Sequence, residues 1–404
     1  MLYRIADSST FVRPGVHTLS DYLSYLDSRP RKVLYGLIAI LLAAIGGIDY
    51  ITGVEISIVV FYLLPVTLAA WFLGRWNGVG VSIIAAIVWY LADLSSSPSY
   101  SAPIVPYWNA LVMLGSLLST SLVLAQLRQT TDRELQLSRE IQERLLPGNV
   151  PEIKGFEIAA AWRPARSVSG DYYDIILVDH EHVALCIGDV VGHGFPAALL
   201  MSNLQAAVRM LAASNASPAK ICTELNKFMF SNTTREKFIT FFIGLLDIRT
   251  RGLVYSNAGH NRPILVHSSG EQTTLPQGSA ALGLVEGASY SDWKIGLAEG
   301  DMLVVFTDGA LEAINLQREQ FGEERFLSVV NQSYELGARF TCDSLLRAVL
   351  EFSNGIVHDD VALLALSVLP AKNQSDDSAP VLVQKGSHED TTGFERGALE
   401  DVKT

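Results

Sequence analysis

Apolar and polar positions alternate on two different scales along this chain. Between Arg31 and Arg128 the apolar residues come in four long runs: Lys32 to Tyr50, Ile56 to Leu73, Gly78 to Leu91 and Ile104 to Leu127. Runs of that kind predict helices that cross a bilayer, the third being the shortest, and hence an all-α transmembrane bundle of about four helices over residues 32–127. The first run starts only after a mixed segment, residues 1–31, and ends without a small-residue cleavage pattern, which argues against a cleaved signal peptide. Gln126 to Leu146 then lacks Gly and Pro and stops at Pro147-Gly148, the pattern of one continuous helix ended by a breaker. Leu137, Ile141 and Leu145 share one face of it. This linker, residues 128–149, either pairs with its copy in a homodimer or stands as a solvated stalk, and Glu134 and Ser138 interrupt a strict heptad seam.

Beyond the linker the spacing shortens. Phe156 to Trp162, Val183 to Ile187, Phe241 to Asp247, Gly252 to Asn257, Met302 to Phe306 and Val361 to Val368 read as strands. Phe195 to Ala213, Pro218 to Phe230, Gly322 to Asn331 and Cys342 to Ser353 carry apolar residues at helical spacing. Strand clusters separated by helix pairs predict an α+β sandwich over residues 150–370, with helices covering antiparallel sheets. Residues 1–31 form a mixed tail with a short amphipathic stretch from Leu19 to Leu26, and residues 371–404 are polar enough to predict disorder.

Composition and charge orient this layout. A mean hydropathy of +0.27 is high for a water-soluble chain, and the excess sits in the four runs. Arg4, Arg13, Arg29, Arg31 and Lys32 precede the first run, Arg75 separates the second from the third, and Arg128, Arg133 and Arg139 follow the fourth, while the other two loops lack Lys and Arg. The positive-inside rule therefore predicts a multi-pass protein of the inner (plasma) membrane with both termini, and the 150–370 domain, in the cytoplasm. The three cysteines, Cys186, Cys222 and Cys342, are widely spaced and read as core residues. A formal net charge of −12 argues against nucleic acid as a partner.

The chemistry lies in aspartates at strand ends. Asp171 and Asp174 occur in Ser169-Gly170-Asp171-Tyr172-Tyr173-Asp174, and Asp189 precedes Val190-Val191-Gly192-His193-Gly194. Asp308 lies in Thr307-Asp308-Gly309, while Asp359 and Asp360 precede the last strand. Each alone has a bland alternative as a turn or cap residue. Gathered together, with few imidazoles or thiolates, they are hard oxygen ligands suited to Mg²⁺ or Mn²⁺, which polarise a phosphoryl oxygen and acidify a water. His193 and His260 invite a role as general acid, against the alternative that each hydrogen-bonds a loop. Tyr172 and Tyr173 read as packing residues.

Taken in order, these elements resemble the SpoIIE/RsbU-type branch of metal-dependent serine/threonine phosphatases, the PPM superfamily. The matching segments are Ile141-Gln142 through Leu145-Leu146-Pro147, Pro164-Ala165 leading to the Asp171 and Asp174 motif, Gly188 to Gly194, Asn257-Ala258-Gly259-His260-Asn261, Thr307-Asp308-Gly309 and Asp359-Asp360. The resemblance implies a PPM-type β-sandwich flanked by helices, two Mn²⁺ or Mg²⁺ ions, and phosphoserine or phosphothreonine as substrate. By the same resemblance Asp171, Asp189, Asp308 and Asp359 are the catalytic metal ligands, with the Val190 carbonyl as a backbone ligand. Asp359 is preferred over its neighbour Asp360. Three departures stand out: Ser169 where glycine is more frequent, Arg262 where proline is common, and Ala362 in place of a small hydroxyl residue.

The implied function is a membrane-anchored phosphatase acting on a phosphorylated regulatory protein of the anti-sigma-factor antagonist kind. Two alternatives are a catalytically silent membrane scaffold that binds the same partner and a membrane-anchored nucleotide cyclase, the latter lacking a purine-reading site. Asp49, Glu55 and Asp93 at the outer ends of the spans either bind an external ligand or cation or sit in interfacial water. The unbroken helix from the bundle to the catalytic domain suggests that the spans bias the metal-site loops.

Overall fold

The computed structural model describes residues 26, 29–52, 58–95, 102–148, 150–214, 216–234, 236–276 and 278–370. Except for Leu26, the amphipathic stretch from Leu19 lies outside them, as do Glu55 and the predicted disordered tail. The chain divides into two compact units. One holds the described residues through Gly148 with Pro164–Gly170 and Gly192–Asn203, and the other holds Asn149–Arg163, Asp171–Val191 and the described residues from Leu204 onward.

In the first unit, helices α1 (Arg31–Thr52), α3 (Arg75–Ser95) and α4 (Val105–Leu145) are long and apolar enough to cross a membrane. Between α1 and α3 lies a shorter apolar helical stretch, Val59–Leu73, containing the α-helical turn α2 (Leu63–Leu68). At 1.5 Å per residue Val59–Leu73 is about 22 Å long, below the thickness of a hydrocarbon core, so the short segment is the second of the four and not the third. Close packing explains the small residues: a side chain at Gly46 would meet Val88, and one at Gly78 would meet Ser121 and Ala70. Asp49 is buried on α1, where it accepts a hydrogen bond from the Tyr62 hydroxyl at 3.1 Å, so it does not lie in open solvent. The linker proves continuous with the helix formed by the fourth apolar run. Helix α4 has 41 residues and is about 60 Å long, because nothing between Pro106 and Leu145 breaks it.

The second unit is built on two five-stranded antiparallel sheets. One has the order β1 (Phe156–Arg163), β10 (Val361–Val368), β9 (Met302–Phe306), β6 (Ile264–Val266), β7 (Gln272–Thr274). The other runs β2 (Tyr172–Leu177), β3 (His182–Val190), β4 (Ile239–Asp247), β5 (Gly252–Ala258), β8 (Trp293–Gly296). Leu303, Leu364 and Leu366 from the first sheet and Leu185, Ile187 and Phe242 from the second belong to one core cluster, as expected for sheets packed face to face. Strand β10 is buried along its whole length, which is why its sequence is apolar at every position but Ser367. Helix α9 (Ala338–Phe352) packs on β1 and β10, and helix α6 (Pro218–Asn232) packs on β4 and β5. Helices α7 (Gly309–Glu312) and α8 (Gly322–Ser333) complete this unit, and α5 (Phe195–Ala212) is divided between the two units at Leu204. The α+β sandwich flanked by helices is therefore present, and Cys186, Cys222 and Cys342 are free and buried in it. Strands β2, β6, β7 and β8 were not distinguished in the sequence, three of them being only three or four residues long.

Candidate active site

The register of the central strands brings the acidic residues together. Asp171 immediately precedes β2, and Asp189 is the penultimate residue of β3, whose partner in β4 is Thr240. Asp308 follows β9 and opens α7, while Asp359 and Asp360 lead into β10, which pairs with β9. Asp171 is 1% exposed and Asp360 is 5% exposed. Asp359 lies at the surface, and its Oδ1 accepts the Asp360 N–H at 2.8 Å. Val190 ends β3 and is buried.

Electrostatics record how close these groups come. Burial, then the charges of Asp189 and Asp360, push the Asp171 carboxyl well above the usual carboxylate range, against the opposing Thr307 hydroxyl. Asp189 is pushed up to about 7, by burial first and then by Asp308 and Asp359. Asp308 rises to about 6 through burial, Asp359 and Glu312. The strongest neighbours of each carboxylate are thus other carboxylates, an arrangement that calls for positive charge. An all-oxygen set of this kind fits a hard divalent cation. Among the described residues no three His, Cys, Asp or Glu side chains close on one point, so an ion held here would draw part of its shell from water and carbonyl oxygen, as Mg²⁺ does readily.

Two supports were not read from the sequence. The fully buried Thr307 hydroxyl donates to Asp171 Oδ2 at 2.8 Å and accepts the Ala362 N–H at 2.8 Å, tying the end of β9 to both β10 and Asp171. Its place directly before Asp308 was the only available signal. Asp174, the second acid of its motif, faces away from this chemistry: its buried carboxylate accepts Arg209 Nε at 2.7 Å, Arg209 Nη2 at 3.0 Å and the Tyr172 hydroxyl at 3.0 Å. Tyr172 is therefore a packing and positioning residue, and Tyr173 packs against the core. A Cβ at Gly309 would collide with the carbonyl oxygen of Asp360, so glycine is what lets the Asp308 turn approach the Asp359-Asp360 turn.

The three departures each find a physical setting. Ala362 lies in the sandwich core, and Thr307 already supplies a hydroxyl to its N–H. Arg262 Nε donates to the Leu275 carbonyl at 2.9 Å. Ser169 is fully buried and takes part in the contact described below. A general-acid role for His260 does not survive. Its ring nitrogen Nδ1 is 2.9 Å from Thr240 Oγ1, and burial lowers its pKa to about 3, so the ring is neutral near pH 7 and the imidazolium that a general acid needs is not populated. His193 is exposed in the glycine-flanked turn after β3.

A helix-flanked pair of antiparallel sheets with clustered aspartates at the strand ends defines the PPM class of fold. Residues 179–369 match the profile of the family described as Stage II sporulation protein E (SpoIIE). The chain is 28% identical over 244 residues to "Phosphoserine phosphatase RsbU" of Bacillus subtilis, covering 59% of this chain and 71% of that protein. It is 26% identical over 260 residues to "Protein IcfG" of Synechocystis, covering 58% of this chain but only 41% of that protein. Among solved structures, the SiaA-PP2C domain of Pseudomonas aeruginosa superposes with a TM-score of 0.53 at 21% identity, covering 59% of this chain and 98% of that one, a likeness of fold.

Proposed function

We propose that this chain is a membrane-anchored protein serine/threonine phosphatase that hydrolyses phosphoserine or phosphothreonine on a regulatory protein. The observation that carries the reading is the mutual electrostatic repulsion among Asp171, Asp189, Asp308, Asp359 and Asp360, which lie at four separate strand ends. These side chains and the Val190 carbonyl are the groups that would hold two Mn²⁺ or Mg²⁺ ions. When bound, such ions supply Lewis acidity toward a phosphoryl oxygen and a water acidified for attack. The chain itself supplies orientation. Thr307 aims Asp171, and the Gly309 turn sets the spacing of Asp308 from Asp360. No side-chain nucleophile is needed, and neutral His260 holds a loop.

A relative named as a phosphoserine phosphatase supports the substrate class. A small phosphorylated domain of the anti-sigma-factor antagonist kind is the partner we infer. The three long apolar helices support anchoring in the plasma membrane, and the distribution of Arg and Lys supports a cytoplasmic catalytic domain. Leu137 and Ile141 are exposed along α4 and offer a seam for a homodimer.

The test is phosphate release from a phosphoserine protein and from an aryl phosphate by the full chain. We expect turnover with Mn²⁺ that falls to background with a chelator and in Asp308→Asn. No turnover on any substrate in Mn²⁺ would refute the reading and leave the silent scaffold. Alkaline extraction of membranes checks the anchor, which fails if the chain is released.

A further inference from the structure

The last turns of α4 hold an unusual residue. Most side chains from Arg128 onward on this helix are exposed, as on any solvated rod, yet Gln142 is 3% exposed. Its side-chain amide donates from Nε2 to the Ser169 carbonyl at 2.7 Å and accepts the Ser169 N–H on Oε1 at 2.9 Å. Both bonds go to one peptide-bearing residue, so the amide acts on Ser169 as a neighbouring strand would, satisfying donor and acceptor together. Ser169 is fully buried and stands two residues before Asp171. Asp171 is held among like charges that tend to drive it out of place, and the Thr307 hydroxyl holds its carboxylate.

We propose that Gln142 is a positioning residue for the metal site: its two-point clamp on Ser169 fixes the Ser169-Gly170-Asp171 segment so that Asp171 is presented as a ligand. The proposal rests on the phosphatase reading only for what Asp171 does.

The experiment uses the full chain in detergent, with Gln142→Met, which keeps length and helix propensity but forms neither bond, and Gln136→Met, an exposed site on the same helix, as control. Mn²⁺ binding is read by calorimetry, thermal unfolding is read in chelator, and aryl phosphate turnover is followed against Mn²⁺ concentration. We expect Gln142→Met to weaken Mn²⁺ binding by about tenfold, the scale of one to two lost hydrogen bonds, with the chelated unfolding midpoint little changed and the control silent. Unchanged Mn²⁺ affinity, or a fall in unfolding midpoint with normal affinity in the folded protein, would overturn the proposal. Should Gln142→Met not fold, Gln142→Glu keeps the acceptor for the Ser169 N–H and is expected to shift affinity in the same direction. Normal Mn²⁺ affinity in that variant overturns the proposal equally. If the wild-type chain binds Mn²⁺ but hydrolyses no phosphoester, the phosphatase reading fails and the clamp is still judged by calorimetry. If turnover is normal and affinity is indifferent to Gln142, the clamp alone fails.

Discussion

Replacing Arg209 with Met isolates the buried carboxylate of Asp174. In the folded protein that carboxylate has no exposed surface and receives four hydrogen bonds: two from the Arg209 guanidinium, one from the Tyr172 hydroxyl, and one from the Ile175 N–H at 2.9 Å. Removing the cation leaves a buried negative charge with two neutral donors, a loss of about 3–5 kcal/mol for a fully enclosed pair. The Arg209 side chain is 48% exposed, so water reaches the vacated position, and we place the loss near the lower end, about 3 kcal/mol. For a domain of this size that corresponds to a fall of roughly 6–12 °C in unfolding midpoint. Asp174→Asn removes the charge and leaves Arg209 in reach of water, and the double variant removes both partners. The double variant is expected to be more stable than the sum of the single losses predicts, by about 2 kcal/mol of coupling. Thermal and urea unfolding of the full chain in detergent, with chelator present, measures all four proteins. Additive single losses, or a loss below about 1 kcal/mol for Arg209→Met, would mean that the pair behaves as a surface ion pair and would refute the reasoning.

Two further predictions test the site and the fold. Gly309→Ala forces the Asp308 turn away from the Asp360 carbonyl and is expected to cost about 1–3 kcal/mol and at least about tenfold in Mn²⁺-dependent turnover, so wild-type kinetics in this variant would contradict the close approach. His260 gives an acid sensitivity whose sign follows from its depressed folded pKa of about 3 against about 6.5 when unfolded. The unfolded chain binds the extra proton, so this contribution is intact above pH 6.5 and is lost as pH falls toward 3, by about 2 kcal/mol at pH 5. Raised carboxylates such as Asp189 and Asp308 act in the opposite sense, so the comparison is with His260→Gln: the difference in urea midpoint between pH 7 and pH 5 should shrink in the variant, and equal pH slopes in the two proteins would sink the assignment.

Much of this molecule was legible before folding because its signals are local. Val361 to Val368 announces a strand buried on both faces by a run apolar through Leu366, and Phe195 to Ala213 announces a helix by spacing alone. The third apolar run was underestimated because Arg75, Trp76 and Asn77 dilute its start, although they continue the same helix. The second was overestimated because hydropathy does not reveal that the helix begins only at Val59 among the described residues. Strands β6, β7 and β8 have too few residues to show an alternation, and only their ladders define them.

By itself the sequence determined the kinds of groups available: apolar spans, a breaker-free linker, strand-end aspartates and the glycines that flank them. These depend on composition and on spacing over a few residues, which the chain carries wherever it goes. The tertiary structure decided which groups meet. Thr307 and Asp171 are 136 positions apart, as are their roles in any linear reading, and only the pairing of β9 with β10 and the packing of the two sheets brings hydroxyl to carboxylate. The folded chain likewise pairs Asp174 with Arg209, keeps the buried His260 neutral near pH 7, and sets Gln142 on the backbone of Ser169. Distance in space, burial and the charges that burial brings together are properties of the folded chain, and they assign the roles.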